Sequence, residues 1–111
     1  MGVDKAMADN MKMRAQLKGD IVEVKVLMSH PMETGRKKDD AGNIISAHFV
    51  QLLTATLNDK PVLEAQWGTG ISKNPYLTFR LKGAKLGDVI TVTWHDNLGE
   101  TATQEIAVTQ A

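Results

Sequence analysis

Alternation of apolar and polar residues with a period of two most constrains the fold of this chain. Val22, Val24, Val26 and Met28 are separated by single residues, so one face of this segment is continuously apolar. Successive side chains of a strand point to opposite faces, which predicts a strand with one buried side. Further strands are predicted in these segments: 11–18, 47–57, 61–67, 76–82, 89–94 and 101–109.

Short turn signals separate these segments and set the fold class. Gly19 with Asp20, and Asn58 with Asp59, mark two tight turns between predicted strands, and residues 83–88 and 96–99 mark two more. About seven strands at a spacing of roughly 8 to 12 residues, without a helical period, are typical of a β-sandwich. We therefore predict an all-β, immunoglobulin-like antiparallel β-sandwich of about seven strands, with an eight-stranded barrel as the alternative.

Length and charge limit the classes of partner. The chain has 111 residues, of which 42% are hydrophobic, and this suits a single domain. Its 13 basic and 13 acidic residues give a formal net charge of zero, so we predict no nucleic-acid and no membrane partner. Residues 1–10 have no clear period and are predicted to be a flexible extension, which leaves residues 11–111 as the domain.

The absence of cysteine excludes several kinds of chemistry from these 111 residues. Disulfides, thiolate metal sites and cysteine nucleophiles all require a thiol. Residues 1–11 hold no apolar block of signal-peptide length, which by itself favours the cytoplasm, and no stretch of about 18 apolar residues occurs elsewhere.

The run of residues 29–35, Ser-His-Pro-Met-Glu-Thr-Gly, ends the strand pattern and opens a polar loop that extends to Ser46. Pro31 has no amide hydrogen for a neighbouring strand, and Gly35 tolerates the positive φ of a chain reversal. Loops of this length in small domains are usually functional or disordered. We expect function to be concentrated here.

Three histidines invite a metal hypothesis. His30, His48 and His95 could meet Glu33 in space, and an autonomous metal-binding β-sandwich that uses His30, Glu33 and His48 is the alternative function. Histidines in turns and at strand ends more often face solvent or bond to the backbone. We therefore predict no metal and no cofactor.

Catalytic motifs are not matched. Residues 70–74 place Asn74 where a nucleophile elbow needs its second glycine. Ser29, His95 and Asp96 supply the residue types of a catalytic triad without any diagnostic spacing. Trp67 and Tyr76 flank a glycine-containing loop, where amphipathic rings often contact a partner, whereas Trp94 is in phase with core residues.

Several specific motifs follow one another along the chain. They are residues 29–35, 47–49 and 67–76 with Leu77 and Phe79, residues 82–85 with Gly87 and Asp88, and Trp94 with Asp96, Asn97 and Gly99. Taken together and in this order, they resemble the SoxZ family of sulfur-oxidation proteins, and the resemblance covers about residues 11–108.

The resemblance implies a non-catalytic subunit of the SoxYZ carrier complex of thiosulfate oxidation. Members of this family have an immunoglobulin-like fold and pair with SoxY, whose flexible arm carries sulfur on a cysteine. The other pathway enzymes contact the complex transiently, and the pair works in the periplasm after co-export with its signal-bearing partner. Self-association of the isolated chain through the uncovered surface is a further expectation.

The partner surface is predicted at the two least β-like segments, which also carry the most specific motifs. The predicted contact residues are His30, Met32, Glu33, Trp67, Ile71 and Tyr76.

Overall fold

A computed structural model describes residues 11–111, and the extension predicted for residues 1–10 lies outside them. The described chain is built from eight strands. They are β1 Met11–Lys18, β2 Ile21–Met28, β3 Val50–Leu57, β4 Lys60–Gln66, β5 Tyr76–Lys82, β6 Val89–Asp96, β7 Thr101–Ala107 and β8 Thr109–Gln110. Within this part of the chain, no helix has the length and apolar composition needed to cross a membrane.

The strands form two four-stranded sheets that pack face to face. The first sheet has the order β5-β2-β1-β8 and the second has the order β4-β3-β6-β7. Neighbouring strands are antiparallel except β1 and β8, which pair in parallel. The predicted all-β sandwich is confirmed, and the barrel alternative is wrong because the sheets remain separate.

The core lies between the sheets and follows the predicted alternation. Val22, Val24 and Val26 of β2 are fully buried, as are Ile90 and Val92 of β6. Each buried side chain of this size contributes roughly 1.5–3 kcal/mol relative to an exposed one. The apolar residues that recur at every second position therefore form the inward face of each sheet.

Several strand limits differ from the predicted ranges, and hydrogen bonds explain the two largest differences. The third strand begins at Val50 rather than at Ala47, because His48 first exchanges backbone hydrogen bonds with Glu33. The last predicted strand is interrupted at Val108, which exchanges backbone bonds with Gly87 and Asp88.

Candidate functional site

The loop that follows β2 is held in place by the loop that precedes β5. The His30 N–H donates to Asn74 Oδ1 at 3.1 Å, and the Asn74 N–H donates to the His30 carbonyl at 2.9 Å. Asn74 has a φ of 51°, a conformation that asparagine tolerates better than most residues. The two segments singled out in the sequence therefore form one structural unit.

Met32 fixes the ring of His30. Its φ of 49° turns the Met32 N–H toward His30 Nδ1, with 3.1 Å between the two nitrogens. Because Nδ1 accepts this bond, the neutral ring carries its proton on Nε2. The Met32 sulfur in turn accepts the Val50 N–H at 3.4 Å, so the corner is tied to the first residue of β3.

Asp96, at the end of β6, accepts hydrogen bonds from four donors. Oδ1 accepts the N–H groups of Leu98 at 3.0 Å and Glu100 at 2.8 Å. Oδ2 accepts Nε2–H of His30 at 3.1 Å and contacts Nε2 of His48 at 2.8 Å. Both oxygens of this buried carboxylate are thus engaged by donors.

These hydrogen bonds keep Asp96 ionised. Burial acts to raise the pKa of the Asp96 carboxyl, but hydrogen bonds from His30, the Glu100 backbone and His48 outweigh burial and lower the pKa to about 2. At neutral pH the end of the sandwich therefore contains a buried negative charge.

His48 connects this buried charge to the surface. Its Nε2 lies 2.8 Å from Asp96 Oδ2 and 2.9 Å from Glu100 Oε1, and its side chain is 24% exposed. The two backbone hydrogen bonds with Glu33, at 2.6 and 2.9 Å, hold the residue in position. We call His30, His48, Asp96 and Glu100 the histidine–carboxylate cluster.

Aromatic packing supports the cluster from inside. The His30 ring contacts the His48 ring edge to face at a centroid distance of 4.6 Å, and it contacts the Trp94 ring at 5.1 Å. Trp94 is buried, as predicted from its phase with the core. The imidazoles are thus held by packing as well as by hydrogen bonds.

The structure distributes the six predicted contact residues over very different environments. His30 and Met32 are buried, with 3% and 4% of their surface exposed, and their role as partner contacts stays a prediction. Trp67 and Ile71 are half-buried against the core, whereas Tyr76 is 60% exposed. Glu33 is half-buried and joins His48 through its backbone.

The candidate metal and triad residues are also placed differently than expected. The cluster unites His30 and His48 with Asp96, and no hydrogen bond joins the Glu33 side chain to these groups in residues 11–111. His95 is exposed because successive residues of β6 face opposite ways, so it does not form a triad with its buried neighbour Asp96. Ser29 is exposed as well.

Sequence reasoning missed the roles of Asp96 and Glu100. The sequence identifies residues 96–99 as a turn and Asp96 as a possible triad residue, but not as the partner of His30 and His48. Asp96 does accept the N–H groups of that turn through Oδ1, which is the ordinary role of aspartate there. Its second oxygen meets histidines that are 66 and 48 positions away, and no local signal reports such a contact.

The described chain is an all-β sandwich of eight strands with the histidine–carboxylate cluster at one end. The model of the family described as sulphur oxidation protein SoxZ matches residues 11–107. The chain belongs to the SoxZ family, and its role is therefore in sulfur oxidation. The comparison with curated proteins gives no match.

Two superoxide reductases and a hypothetical protein are among the solved structures that share this fold. Superoxide reductase (neelaredoxin) from Ignicoccus hospitalis has a TM-score of 0.64 at 18% identity, covering 98% of this chain and 86% of that one. A hypothetical protein from Pyrococcus horikoshii OT3 has a TM-score of 0.63 at 15% identity, covering 89% and 87%. A superoxide reductase in the oxidized state has a TM-score of 0.62 at 16% identity, covering 89% and 86%. Similarity at this level of identity establishes the fold alone.

Proposed function

We propose that this chain is the non-catalytic subunit of a SoxYZ sulfur carrier complex in thiosulfate oxidation. It binds the cysteine-bearing SoxY subunit and helps to present the carrier arm to the pathway enzymes. This proposal rests on the observation that a chain of the SoxZ family has no cysteine in its 111 residues. Covalent sulfur carriage requires a thiolate, so the sulfur must be attached to another chain.

The exposed side of the first sheet offers a surface for that partner. Tyr76 of β5 is 60% exposed and pairs in register with Leu27 of β2, which is 45% exposed. Both line a shallow depression of about 230 Å³ together with Lys12, Arg14 and Lys25. We call these five residues the Tyr76 patch.

The composition of the Tyr76 patch defines the partner surface that would fit it. Tyrosine and arginine are enriched among residues that dominate binding energies, and apolar centres with polar rims are usual at interfaces. Three cations surround the two apolar side chains. A complementary partner surface presents an apolar projection that is flanked by acidic residues.

Calorimetric titration of purified SoxY into this chain tests the function and the surface separately. We expect wild-type binding, with at least tenfold weaker affinity in Tyr76→Ser, because the loss of one central tyrosine commonly costs more than about 1.4 kcal/mol. Val62→Ser is the matched control, since Val62 is exposed on β4 of the second sheet.

The two outcomes have different meanings. Unchanged affinity in Tyr76→Ser would show that the partner binds elsewhere on the chain. Absence of wild-type binding would contradict the proposed function itself.

Localisation belongs to the same proposal. We propose that the chain works in the periplasm and arrives there with its signal-bearing partner. Fractionation of cells that express the chain with and without SoxY tests this, because periplasmic recovery must depend on the partner's signal. Recovery only from the cytoplasm in the presence of SoxY would contradict co-export.

A further inference from the structure

The histidine–carboxylate cluster brings different metal-ligating atoms into one small volume. One ring nitrogen of His30, one ring nitrogen of His48 and an Asp96 carboxylate oxygen all lie within 4.8 Å of one another. His48 Nε2 is also 2.9 Å from Glu100 Oε1. Three potential ligand atoms thus converge at this end of the sandwich, and a Glu100 carboxylate oxygen lies beside His48.

The spacing of His48, Asp96 and Glu100 suits a metal ion. His48 Nε2 lies 2.8 Å from Asp96 Oδ2 and 2.9 Å from Glu100 Oε1. Adjacent ligands of a six-coordinate ion with bonds of about 2.1 Å are separated by about 3.0 Å. Each carboxylate oxygen thus lies at about the distance from His48 Nε2 that two adjacent ligands of such an ion have.

His30 is placed to orient Asp96 and not to bind a metal ion itself. Its Nδ1 accepts the Met32 N–H, so the proton of the neutral ring is on Nε2 and points to Asp96 Oδ2. A metal on Nε2 would require the proton to move to Nδ1, where it would face the Met32 N–H. His30 is thus placed as the donor that orients the Asp96 ligand, a role common around metal sites.

His48 can lose the proton on Nε2, because no backbone N–H of the described chain occupies the position next to its Nδ1. His48 Nδ1 makes no hydrogen bond to residues 11–111, and the His48 side chain is 24% exposed. The ring proton can move through solvent to Nδ1 when an ion takes the place of the Nε2 proton. The charge balance is favourable, because two carboxylates face a divalent cation.

We propose that His48, Asp96 and Glu100 form a binding site for a divalent first-row transition-metal ion, and that His30 orients Asp96 within it. One imidazole and two carboxylates suit borderline ions such as Zn²⁺ or Co²⁺. Three protein ligands leave the remaining coordination positions to water or to an incoming anionic or thiol ligand. This proposal is independent of SoxY binding.

Calorimetric titration of Zn²⁺ and Co²⁺ into tag-free chain that has been treated with a chelator tests the site. We expect one ion per chain in the wild type and at least tenfold weaker binding in His48→Gln and in Glu100→Gln. Both changes are at side chains that reach solvent, and circular dichroism verifies that the variants fold. His95→Gln is the matched control, because His95 is exposed on the outer face of the same strand as Asp96.

Paramagnetic Co²⁺ provides an independent readout of position. Amide NMR signals of His48, Leu98 and Glu100 should broaden or shift first, while those of Asn58 and Asp59, at the opposite end of the sandwich, remain unchanged. The absence of a wild-type site would overturn the proposal. So would affinity that is unchanged in His48→Gln, or Co²⁺ effects centred on His95.

Discussion

Asp96 is the residue on which the end of the sandwich depends. Its two oxygens face four nitrogen atoms, two from the turn backbone and two from imidazole rings. Only an ionised carboxylate can accept from all four, because an amide has one accepting oxygen and a nitrogen that donates. A buried donor without an acceptor loses its hydration with no compensation.

Asp96→Asn should therefore lower the free energy of unfolding by about 2–4 kcal/mol. The amide nitrogen would face either the two turn N–H groups or the two imidazole donors. Asp20→Asn makes the same chemical change in the exposed turn after β1 and should stay within about 0.5 kcal/mol of the wild type. Urea unfolding at neutral pH measures both, and equal stabilities of the two variants would contradict this role for Asp96.

The same carboxylate predicts an acid-dependent loss of stability. Its pKa is lowered from 3.8 to about 2 in the folded chain, so folding favours the charged form. The resulting stabilisation is complete above the unfolded pKa and is lost as the pH falls through the folded one. Urea unfolding between about pH 5 and pH 2 should show this loss in the wild type and a smaller loss in Asp96→Asn. Parallel curves would show that other groups cause the acid dependence.

The residues of the cluster illustrate what local pattern does not reveal. His30 and His48 were recognised as candidate ligands because of their type, but their common neighbour was not. Glu33 was the candidate carboxylate of the metal hypothesis, whereas in the structure its backbone bonds to His48. Side-chain partners across a sandwich depend on the packing of both sheets, which one local segment does not encode.

At the scale of elements, the two loops at this end act as one unit. The reciprocal hydrogen bonds between His30 and Asn74 join the loop after β2 to the loop before β5. The Met28 N–H adds a bond to the Pro75 carbonyl at 2.9 Å. The position of His30, and through it the orientation of Asp96, therefore depends on a residue outside the cluster.

Asn74→Ala should lower the free energy of unfolding by about 1–2 kcal/mol, because it removes the acceptor for the His30 N–H and places alanine at a positive φ. Asn74→Asp keeps an acceptor oxygen and tolerates the same φ, so it should remain within about 0.5 kcal/mol of the wild type. Thermal and urea unfolding give both values. Equal effects of the two substitutions would mean that the side-chain acceptor contributes nothing.

Strands were more predictable than loops for a physical reason. Every second residue of a strand lies on the same face, so the local sequence of a segment such as 22–28 is enough to predict which residues are buried. The turn at Asn58 and Asp59 was also evident, and both residues have the positive φ of a two-residue hairpin. The interruption at Val108 depends on bonds with the distant turn at Gly87, which the strand pattern does not contain.

For the molecule as a whole, a net charge of zero hides an uneven distribution. The outer face of the first sheet presents Lys12, Arg14, Lys25, Arg80 and Lys82, and it opposes them with Glu23. Glu23 contacts Lys25 at 3.7 Å and Arg80 at 3.3 Å, which leaves an excess of cations. Charge distributed in this way steers a partner with an acidic surface rather than attracting anions to every side.

Fold similarity and family membership contribute different kinds of information here. The superoxide reductases share the sandwich at under 20% identity, and a shared fold alone does not transfer an activity. Membership in the SoxZ family covers nearly the whole described chain. The proposed role of a carrier companion therefore rests on the family and on the absence of cysteine.

The proposed role as a carrier companion is tested by native mass spectrometry of the chain co-expressed with SoxY, after a pathway enzyme has attached sulfur to the complex. We predict a complex that contains both chains, in which the added sulfur mass is on the SoxY chain and this chain keeps its unmodified mass. Two chains that do not associate, or a covalent sulfur adduct on this chain, would contradict the proposed role.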